Sequence, residues 1–493
     1  MIVQDFRGAF MIRLLALILL LPGLARASET IVAIQADPSA LRPTGPGASW
    51  TLLIEGKTAA GQIVDLTTEA NFSSADDRVA RVSDHGTVLA AGDGQTTLRV
   101  RVRGKSLSIP VEVRDAHRPR VYNFENDILP LLSRFGCNSS GCHGKAEGQN
   151  GFKLSVFGFD PKADFTALVH ESRGRRLFFP SPRHSLLLRK IAGESSHGGG
   201  VRIPTGTAEY HTLLGWIAAG APFGRDSDPR VVSIRVQPRE RILGMGGRQQ
   251  LRVLARYSDG READVTALAR FQSNAENLAV VDLRGQVQAG NSPGDVAVMA
   301  SFANQVDVFR ALIPAPGRVP AGKVPEHNGI DTLVFARLRK LNLQPAALCD
   351  DATFLRRVYL DLIGTLPTPA EARQFLADQR VDKRARLVED LLKRPEFADY
   401  WALKWSDLLR VDRQALGHKN AYAFYRWIRD SFAKNKPLDQ FAAELLRAEG
   451  PLGESGPAGF YKVTGKPGEM ASAVAQVFLG VRIACAECHH HPY

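Results

Sequence analysis

Two long stretches of this chain repeat one residue pattern at a fixed distance, and this repeat limits the possible folds more than any other feature. In both stretches, short runs of alternating apolar residues are separated by turn residues. The pattern predicts two β-sandwiches of about seven strands each, over residues 28–115 and 230–314. Identical residues recur 199 positions later, with Asp65, Thr67, Phe72, Ser74, Ala80, Val82, Gly86 and Val88 matched by Asp264, Thr266, Phe271, Ser273, Ala279, Val281, Gly285 and Val287.

Residues 1–27 have the pattern of a cleavable secretory signal. Arg7 and Arg13 precede an apolar run, which is followed by the small-x-small site Ala25-Arg26-Ala27. No later run of about 18 apolar residues is present in the sequence. We therefore expect an exported chain without an integral membrane span after cleavage, located in the periplasm or at the cell surface.

The composition is that of a globular protein of several domains. The 493 residues are 44% hydrophobic and 23% charged, which excludes collagen-like, disordered and polytopic membrane classes. The net charge of +12 is spread along the chain, so we expect no nucleic-acid partner. The sequence contains neither Gly-x-Ser-x-Gly nor His-Glu-x-x-His, and we predict no catalytic residue.

Helical spacing of apolar residues predicts helices in the remaining parts of the chain. Residues 120–225 are expected to form a small helical domain, and residues 328–493 a larger, mostly helical one. The sequence Thr368-Pro369-Ala370-Glu371 predicts a helix start, and the last helix is predicted from about Glu469 to Ile483. The expected fold class is thus multidomain α and β, with two β-sandwiches and two helical domains.

Two cysteine pairs, each followed by histidine, carry the chemistry of the chain. Cys485 and Cys488 with His489 have the spacing of a c-type haem attachment site, in which two thiols bind the haem edge and the imidazole binds iron. Cys137 and Cys142 with His143 have four intervening residues instead of two. Asn, Ser and Gly fill that wider loop, and we expect them to bulge outward and keep the two sulfurs close.

Two families are similar to parts of this sequence. The Asp-x-Thr, Phe-x-Ser and Val-x-x-x-Gly-x-Val pattern resembles the group 2 bacterial immunoglobulin-like domain. Other stretches resemble the cytochrome-c-like modules of large exported planctomycete proteins: Gly136 to Gly144, Asn150-Gly151-Phe152-Lys153-Leu154, His197-Gly198-Gly199-Gly200, Trp216-Ile217, Leu355-Arg356-Arg357-Val358-Tyr359-Leu360-Asp361, Trp405-Ser406-Asp407-Leu408-Leu409-Arg410 and the Cys485 motif. The resemblance implies one or two covalently bound haem c groups and an exported multi-domain architecture. Because bound haem iron changes between Fe(III) and Fe(II), we expect an electron carrier.

The sixth iron ligand of the first site is predicted separately. No methionine lies between residues 120 and 225, which excludes the usual His/Met pair there, so the sixth position is either open or filled by a histidine. Of His170, His184, His197 and His211, we favour His197, because it lies in a glycine-rich loop before the closing helix. The basic run at 173–176 is a candidate partner for haem propionates or for an acidic redox partner, whose identity the sequence does not indicate.

Zinc and disulfides are the alternatives at both motifs. Zinc would be bound by Cys485, Cys488, His489 and His491, and by Cys137, Cys142, His143 and His197. Either alternative describes a cell-surface scaffold or adhesion protein with stapled loops. The sequence ends at Tyr493, two residues after His491, where the similar family domain would continue. We therefore expect the last domain to be incomplete.

Overall fold

The computed structural model describes residues 30–145, 147–317 and 324–487. The predicted signal segment lies outside this range. The chain divides into two compact units, one with residues up to 120 together with 248–252, and one with 121–247 and the residues from 253 onward. Within the described residues, no helix combines the length and apolar character needed to cross a membrane.

The first unit is a set of short, mostly antiparallel sheets. Their strand orders are β1-β3-β4, β2-β7-β6 and β5-β8-β9 once the strands are numbered along the chain. Alternate residues of the long strands are buried, which confirms the period-two pattern predicted from the sequence. The strands are β1 (Ile31–Asp37), β2 (Ser49–Thr51), β3 (Leu53–Thr58), β4 (Ile63–Asp65), β5 (Asn71–Ser74), β6 (Ala80–Val82), β7 (Thr87–Ala90), β8 (Gly94–Val102) and β9 (Lys105–Val113).

The repeated Asp-x-Thr pattern makes the same buried turn in both copies. The Asp65 carboxylate accepts hydrogen bonds from the backbone N–H and the hydroxyl of Thr67, at 2.9 and 2.5 Å. The Thr67 hydroxyl oxygen in turn accepts from the backbone of Ile54 on β3. Asp264 and Thr266 make the same bonds at 2.8 and 2.5 Å. The residue types are repeated because a buried turn must satisfy its own polar groups.

The repeated Phe and Gly make a second contact that occurs in both copies. Gly86 has a φ of +75°, and a Cβ there would lie 3.1 Å from the ring of Phe72. Gly285 has a φ of +79°, and its Cβ would lie 2.7 Å from the ring of Phe271. Any side chain at these positions would meet both a positive φ and an aromatic ring, so glycine is required.

The described part of residues 121–225 contains four short α-helices joined by long loops. A π-helical turn, Phe124–Ile128, leads directly into the first helix. The core contains Phe124, Leu131, Leu213 and Trp216, and the Trp216 indole N–H donates to Pro222 O at 2.9 Å. The helices are α1 (Leu129–Arg134), α2 (Pro161–Val169), α3 (Leu186–Ile191) and α4 (Ala208–Ala218).

The second β domain repeats the strand positions of the first. Strands β13 to β17 begin 199 residues after β3 to β7, and β18 and β19 begin 200 residues after β8 and β9. The longest hairpin pairs β18 with β19. The strands are β10 (Val231–Gln237), β11 (Glu240–Ile242), β12 (Arg248–Gln250), β13 (Arg252–Tyr257), β14 (Glu262–Asp264), β15 (Arg270–Ser273), β16 (Ala279–Val281), β17 (Gln286–Ala289), β18 (Gly294–Phe302) and β19 (Gln305–Ile313).

The small helical domain packs against this second β domain. Arg134, at the end of α1, donates to Ala269 O at 2.7 Å. Asn304 donates to Gly158 O at 3.0 Å, and the Arg270 guanidinium lies 4.9 Å from the Phe157 ring centroid. These contacts fix the orientation of the helical domain on the sheet.

The remainder of the chain is helical, as predicted. Thr368 and Glu371 form a reciprocal capping box at the start of α7, which confirms the predicted helix start. Trp405 packs within an aromatic core with Phe441 and Phe478. The helices are α5 (Gly329–Lys340), α6 (Asp351–Ile363), α7 (Pro369–Ala377), α8 (Lys383–Leu392), α9 (Pro395–Leu408), α10 (Arg413–Leu416), α11 (His418–Ala433), α12 (Leu438–Leu446), α13 (Gly459–Val463) and α14 (Pro467–Phe478).

The last helix is shorter than predicted. Helix α14 ends at Phe478 instead of Ile483. Gly480 has a φ of +68°, and Val481 N–H donates back to Ala475 O at 3.1 Å, so a left-handed glycine closes the helix. The prediction was wrong at this end because the apolar pattern continues past the glycine.

Candidate functional site

The first Cys/His motif is a compact loop directly after helix α1. Cys137 N–H donates to Leu132 O at 2.8 Å, and His143 N–H donates to Cys137 O at 3.0 Å. Cys142 N–H donates to Ser139 O at 2.9 Å. These bonds turn the backbone back on itself, so both thiols and the imidazole of the motif line one cavity.

The loop residues differ in direction. Ser140 and Gly141 are exposed and bulge outward, as predicted, but Asn138 is fully buried. Its amide donates to the Ser133 hydroxyl at 2.8 Å, while its side-chain oxygen has no hydrogen-bond partner among the described residues. The expectation for Asn138 was wrong, because its side chain fills the inside of the turn.

His143 is held in one orientation. Its Nδ1 lies 3.0 Å from Phe152 O, and its ring centroid lies 4.5 Å from that of Phe152. A carbonyl oxygen can only accept, so Nδ1 carries the proton and Nε2 has a free lone pair. Burial lowers the pKa of His143, which keeps the ring neutral at pH 7. A neutral imidazole with its other nitrogen anchored on a carbonyl is the usual state of a metal ligand.

His197 faces His143 across the site. The two ring centroids are 6.3 Å apart, and the ring planes differ by 10°. The Nδ1 of His197 lies 3.2 Å from Gly200 O, which leaves its Nε2 free as well. The structure therefore brings together the two histidines that the sequence selected 54 positions apart.

The other three candidate histidines do not line the cavity. His170 packs edge-on against Phe165. His184 bonds the Ser181 hydroxyl, and His211 bonds Thr207 O on the outside of α4.

The cavity between these groups has a volume of about 410 Å³. Its wall is mostly apolar and carries four cationic side chains and no carboxylate. The lining residues are Leu132, Cys137, Cys142, His143, Gln149, Asn150, Phe152, Leu154, Leu168, Ser172, Arg175, Arg176, Leu186, Leu187, Lys190, Ile191, His197 and Arg202.

The cysteines of this site are free thiols. Cys137, Cys142 and Cys349 form no disulfide. Burial raises the pKa of the Cys137 thiol to about 11, so it is protonated at neutral pH. In the part of the chain that the structure describes, no three Cys, His, Asp or Glu side chains converge as a metal-binding group.

The second motif is described only in part. Cys485 lies in a short 3-10 turn, Ala484–Glu487, whereas Cys488, His489 and His491 lie outside the described residues. The ligand sets predicted for this site stay predictions.

A buried carboxyl group supports the floor of the first site. Asp164 on α2 is 1% exposed and accepts from the Ser155 backbone and hydroxyl, at 2.5 and 2.7 Å. Ser155 follows Leu154, whose N–H donates to His143 O at 2.8 Å. Burial raises the pKa of Asp164 to about 6.

This carboxyl group predicts a pH dependence of local stability. Below about pH 4, folded and unfolded chains both hold the proton; between pH 4 and 6 only the folded chain keeps it. Stability should therefore fall as the pH rises through 6, by at most about 3 kcal/mol. Hydrogen exchange of the α1 and α2 amides, compared with Asp164→Asn at each pH, measures this loss. A difference between native and variant chains that is constant from pH 4 to 7 would contradict it.

Two residues of the site have roles that the sequence patterns did not specify. Phe152 supplies both the carbonyl and the ring that orient His143. Arg176 belongs to the basic run predicted to pair with haem propionates or an acidic redox partner, and it is buried beneath the Phe152 ring. Only the three-dimensional contacts identify these roles, because each is made by a backbone oxygen or a ring face.

Two protein-family models match parts of the chain. Residues 230–308 match the bacterial Ig-like domain, group 2, which confirms the Ig-like assignment of the second β domain. Residues 329–493 match PSCyt2, described as a protein of unknown function (DUF1549). No curated protein matches the sequence.

Several solved structures are similar at low identity. The S-layer protein SbsC, domains 5-6, is 12% identical with a TM-score of 0.24, over 58% of this chain and all of that one. A longer crystal structure of the same S-layer protein has a TM-score of 0.16 at 12% identity, over 56% of this chain, which spans 24% of its length. Human protocadherin-24 EC1-2 is 8% identical with a TM-score of 0.14, over 58% of this chain and 100% of that one.

Proposed function

We propose that residues 120–225 bind one haem c, attached through Cys137 and Cys142 and ligated by His143 and His197, and that the protein is an exported electron carrier. A second haem is proposed at Cys485, Cys488 and His489. The observation that carries the first site is the parallel pair of imidazoles with both Nε2 atoms free.

The spacing of the two rings supports this proposal. Two imidazoles that held one metal ion between them, each with a metal–nitrogen bond of about 2.0 Å and about 1.1 Å from that nitrogen to the ring centroid, would have centroids ~6.2 Å apart. The centroids of His143 and His197 are 6.3 Å apart. The two rings would therefore be able to hold one metal ion between them through their Nε2 atoms.

The chemistry of the cavity supports haem more than zinc. A tetrahedral zinc site needs four converging ligands. The described residues contain no such group, whereas the cavity offers apolar walls for a porphyrin and cations for its two carboxylates. Arg175 and Arg202 are the exposed cations of the wall.

Each residue of the site has a defined task. The two thiols would hold the haem edge, and the Phe152 carbonyl orients His143 so that its lone pair faces the cavity. The apolar wall excludes water from the ligand plane. A bound haem iron would supply a one-electron change between Fe(III) and Fe(II).

The Ig-like domains support a rigid, exported architecture. Their repeated turns are satisfied internally. We propose that they act as spacers at the periplasmic or cell-surface location expected from residues 1–27. The haem would exchange electrons with a redox partner protein. A scaffold or adhesion protein remains the second candidate, favoured by the bacterial Ig-like match.

Replacing His197 by alanine tests the ligand pair. In protein exported by a host with haem-attachment machinery, His197→Ala should keep its haem but lose the low-spin bis-histidine absorption and EPR signals of the first site. Added imidazole should restore them, since the missing group is one ring.

His211→Ala is the matched control, because this histidine belongs to the same domain but not to the cavity wall. Its spectra should equal those of the native chain. A His197→Ala chain that keeps both bis-histidine signals would refute the ligand assignment, and a native chain without covalent haem would refute the proposed function.

A further inference from the structure

Arg176 is a buried cation without an ion pair. Arg176 is only 9% exposed to solvent. One guanidinium nitrogen donates to Ala167 O at 2.6 Å and to Glu171 O at 3.2 Å, and the other donates to Gly151 O at 3.1 Å. Among the described residues, no carboxylate lies within ion-pair distance of Arg176. Carbonyl dipoles hold the charge but do not cancel it.

The position of this charge is defined by Phe152. The guanidinium carbon lies 4.4 Å from the centre of the Phe152 ring, and the same ring lies 4.5 Å from that of His143. Arg176 also lines the cavity. Burial lowers the pKa of Arg176, yet an arginine side chain stays protonated at neutral pH.

An unpaired buried charge is costly, so its retention needs a compensating interaction. The cation–π contact with Phe152 supplies part of it. The remaining compensation can come from negative charge on a ligand in the cavity, because the apolar cavity wall screens charges only weakly. The positive charge of Arg176 likewise disfavours an increase in positive charge on a group bound in the cavity.

We propose that Arg176 sets the redox balance of the first site by favouring the reduced form of the iron held by His143 and His197. This inference rests on the proposed haem site. The residue does not touch the reacting atoms; it acts through its field. Arg176 therefore raises the midpoint potential, and neutralising it lowers that potential.

The test compares Arg176→Gln with Arg176→Lys in the full haem-loaded chain by spectroelectrochemical titration. Gln retains hydrogen-bond donors without charge, whereas Lys retains the charge. At the native midpoint, Arg176→Gln should raise the Fe(III)/Fe(II) ratio about tenfold, which is a shift of about 59 mV. Arg176→Lys should stay within about twofold of native. Arg183→Gln is the control, because it removes an exposed arginine that is not in the cavity wall.

Equal potentials for Arg176→Gln and the native chain would overturn the inference, and so would equal shifts for the Gln and Lys variants. Haem counted in the same samples separates this failure from failure of the proposed function, which would show as a native chain without haem.

A second pair of variants applies if Arg176→Gln does not assemble. The Ser172 hydroxyl lies 3.4 Å from the Arg176 guanidinium and is exposed, so Ser172→Asp places a carboxylate beside the charge. Its positive φ of 56° suits Asp at least as well as Ser. Ser172→Asp should lower the potential more than Asn150→Asp, which adds the same charge elsewhere on the wall. Equal shifts would overturn the inference.

Discussion

Replacing both Cys137 and Cys142 by alanine is expected to remove one covalently bound haem per chain. Both thiols line the cavity that His143 and His197 enclose, and neither is used in a disulfide. Without the two thioether bonds, haem would be held by axial ligands alone, and denaturing extraction would release it. A pyridine haemochrome assay of the denatured chain, before and after extraction, measures the loss.

Cys349→Ala is the control for this experiment. Cys349 is also a free, half-buried thiol, but it lies beside α6 and lines no part of the cavity. Its haem content should equal that of the native chain. An unchanged haem count in the double cysteine variant would contradict the attachment site, and a native chain that binds zinc instead would favour the scaffold alternative.

Gly144→Ala is expected to disrupt the Cys/His loop itself. A Cβ at Gly144 would lie 2.2 Å from Asn138 O and 2.8 Å from Ser139 O. Both are backbone atoms of the turn that carries the cysteines, and they cannot move without breaking its hydrogen bonds. We expect a loss of about 3 kcal/mol or more in the stability of this domain, and little haem incorporation.

Gly141→Ala tests whether this effect is steric. Gly141 lies three residues earlier in the same loop, and a Cβ there would meet no atom within 4 Å. Hydrogen exchange of the α1 amides should be faster in Gly144→Ala and unchanged in Gly141→Ala. Equal exchange in the two variants would show that the loop adapts to a side chain at residue 144.

The sequence predicted the β domains well because their constraints are local. Burial alternates along long strands such as β8, and Asp65 with Thr67 closes a turn through bonds between neighbours. His197 lines the cavity together with His143, whereas its role as an iron ligand stays a prediction. Its near-parallel placement opposite His143, with ring centroids 6.3 Å apart, depends on contacts between distant parts of the domain, and no local pattern encodes it.

The features that the sequence did not predict depend on contacts between distant residues or on a single backbone angle. Asn138 is buried because the loop folds over it, although its residue type is typical of exposed turns. Helix α14 stops at a left-handed Gly480 within an otherwise continuous apolar pattern. Arg176 belongs to a run of basic residues, but only the folded chain buries it beneath Phe152.

The contact between Arg134 and the second β domain fixes the orientation of the proposed haem site relative to that sheet. A cofactor-binding domain joined by a flexible linker rotates freely, so its cofactor can point in any direction. Here the last residue of α1, three positions before Cys137, is bonded to Ala269 O. The cavity therefore has a fixed orientation relative to that sheet, and in the proposed electron carrier the sheet would limit the directions from which a redox partner can approach.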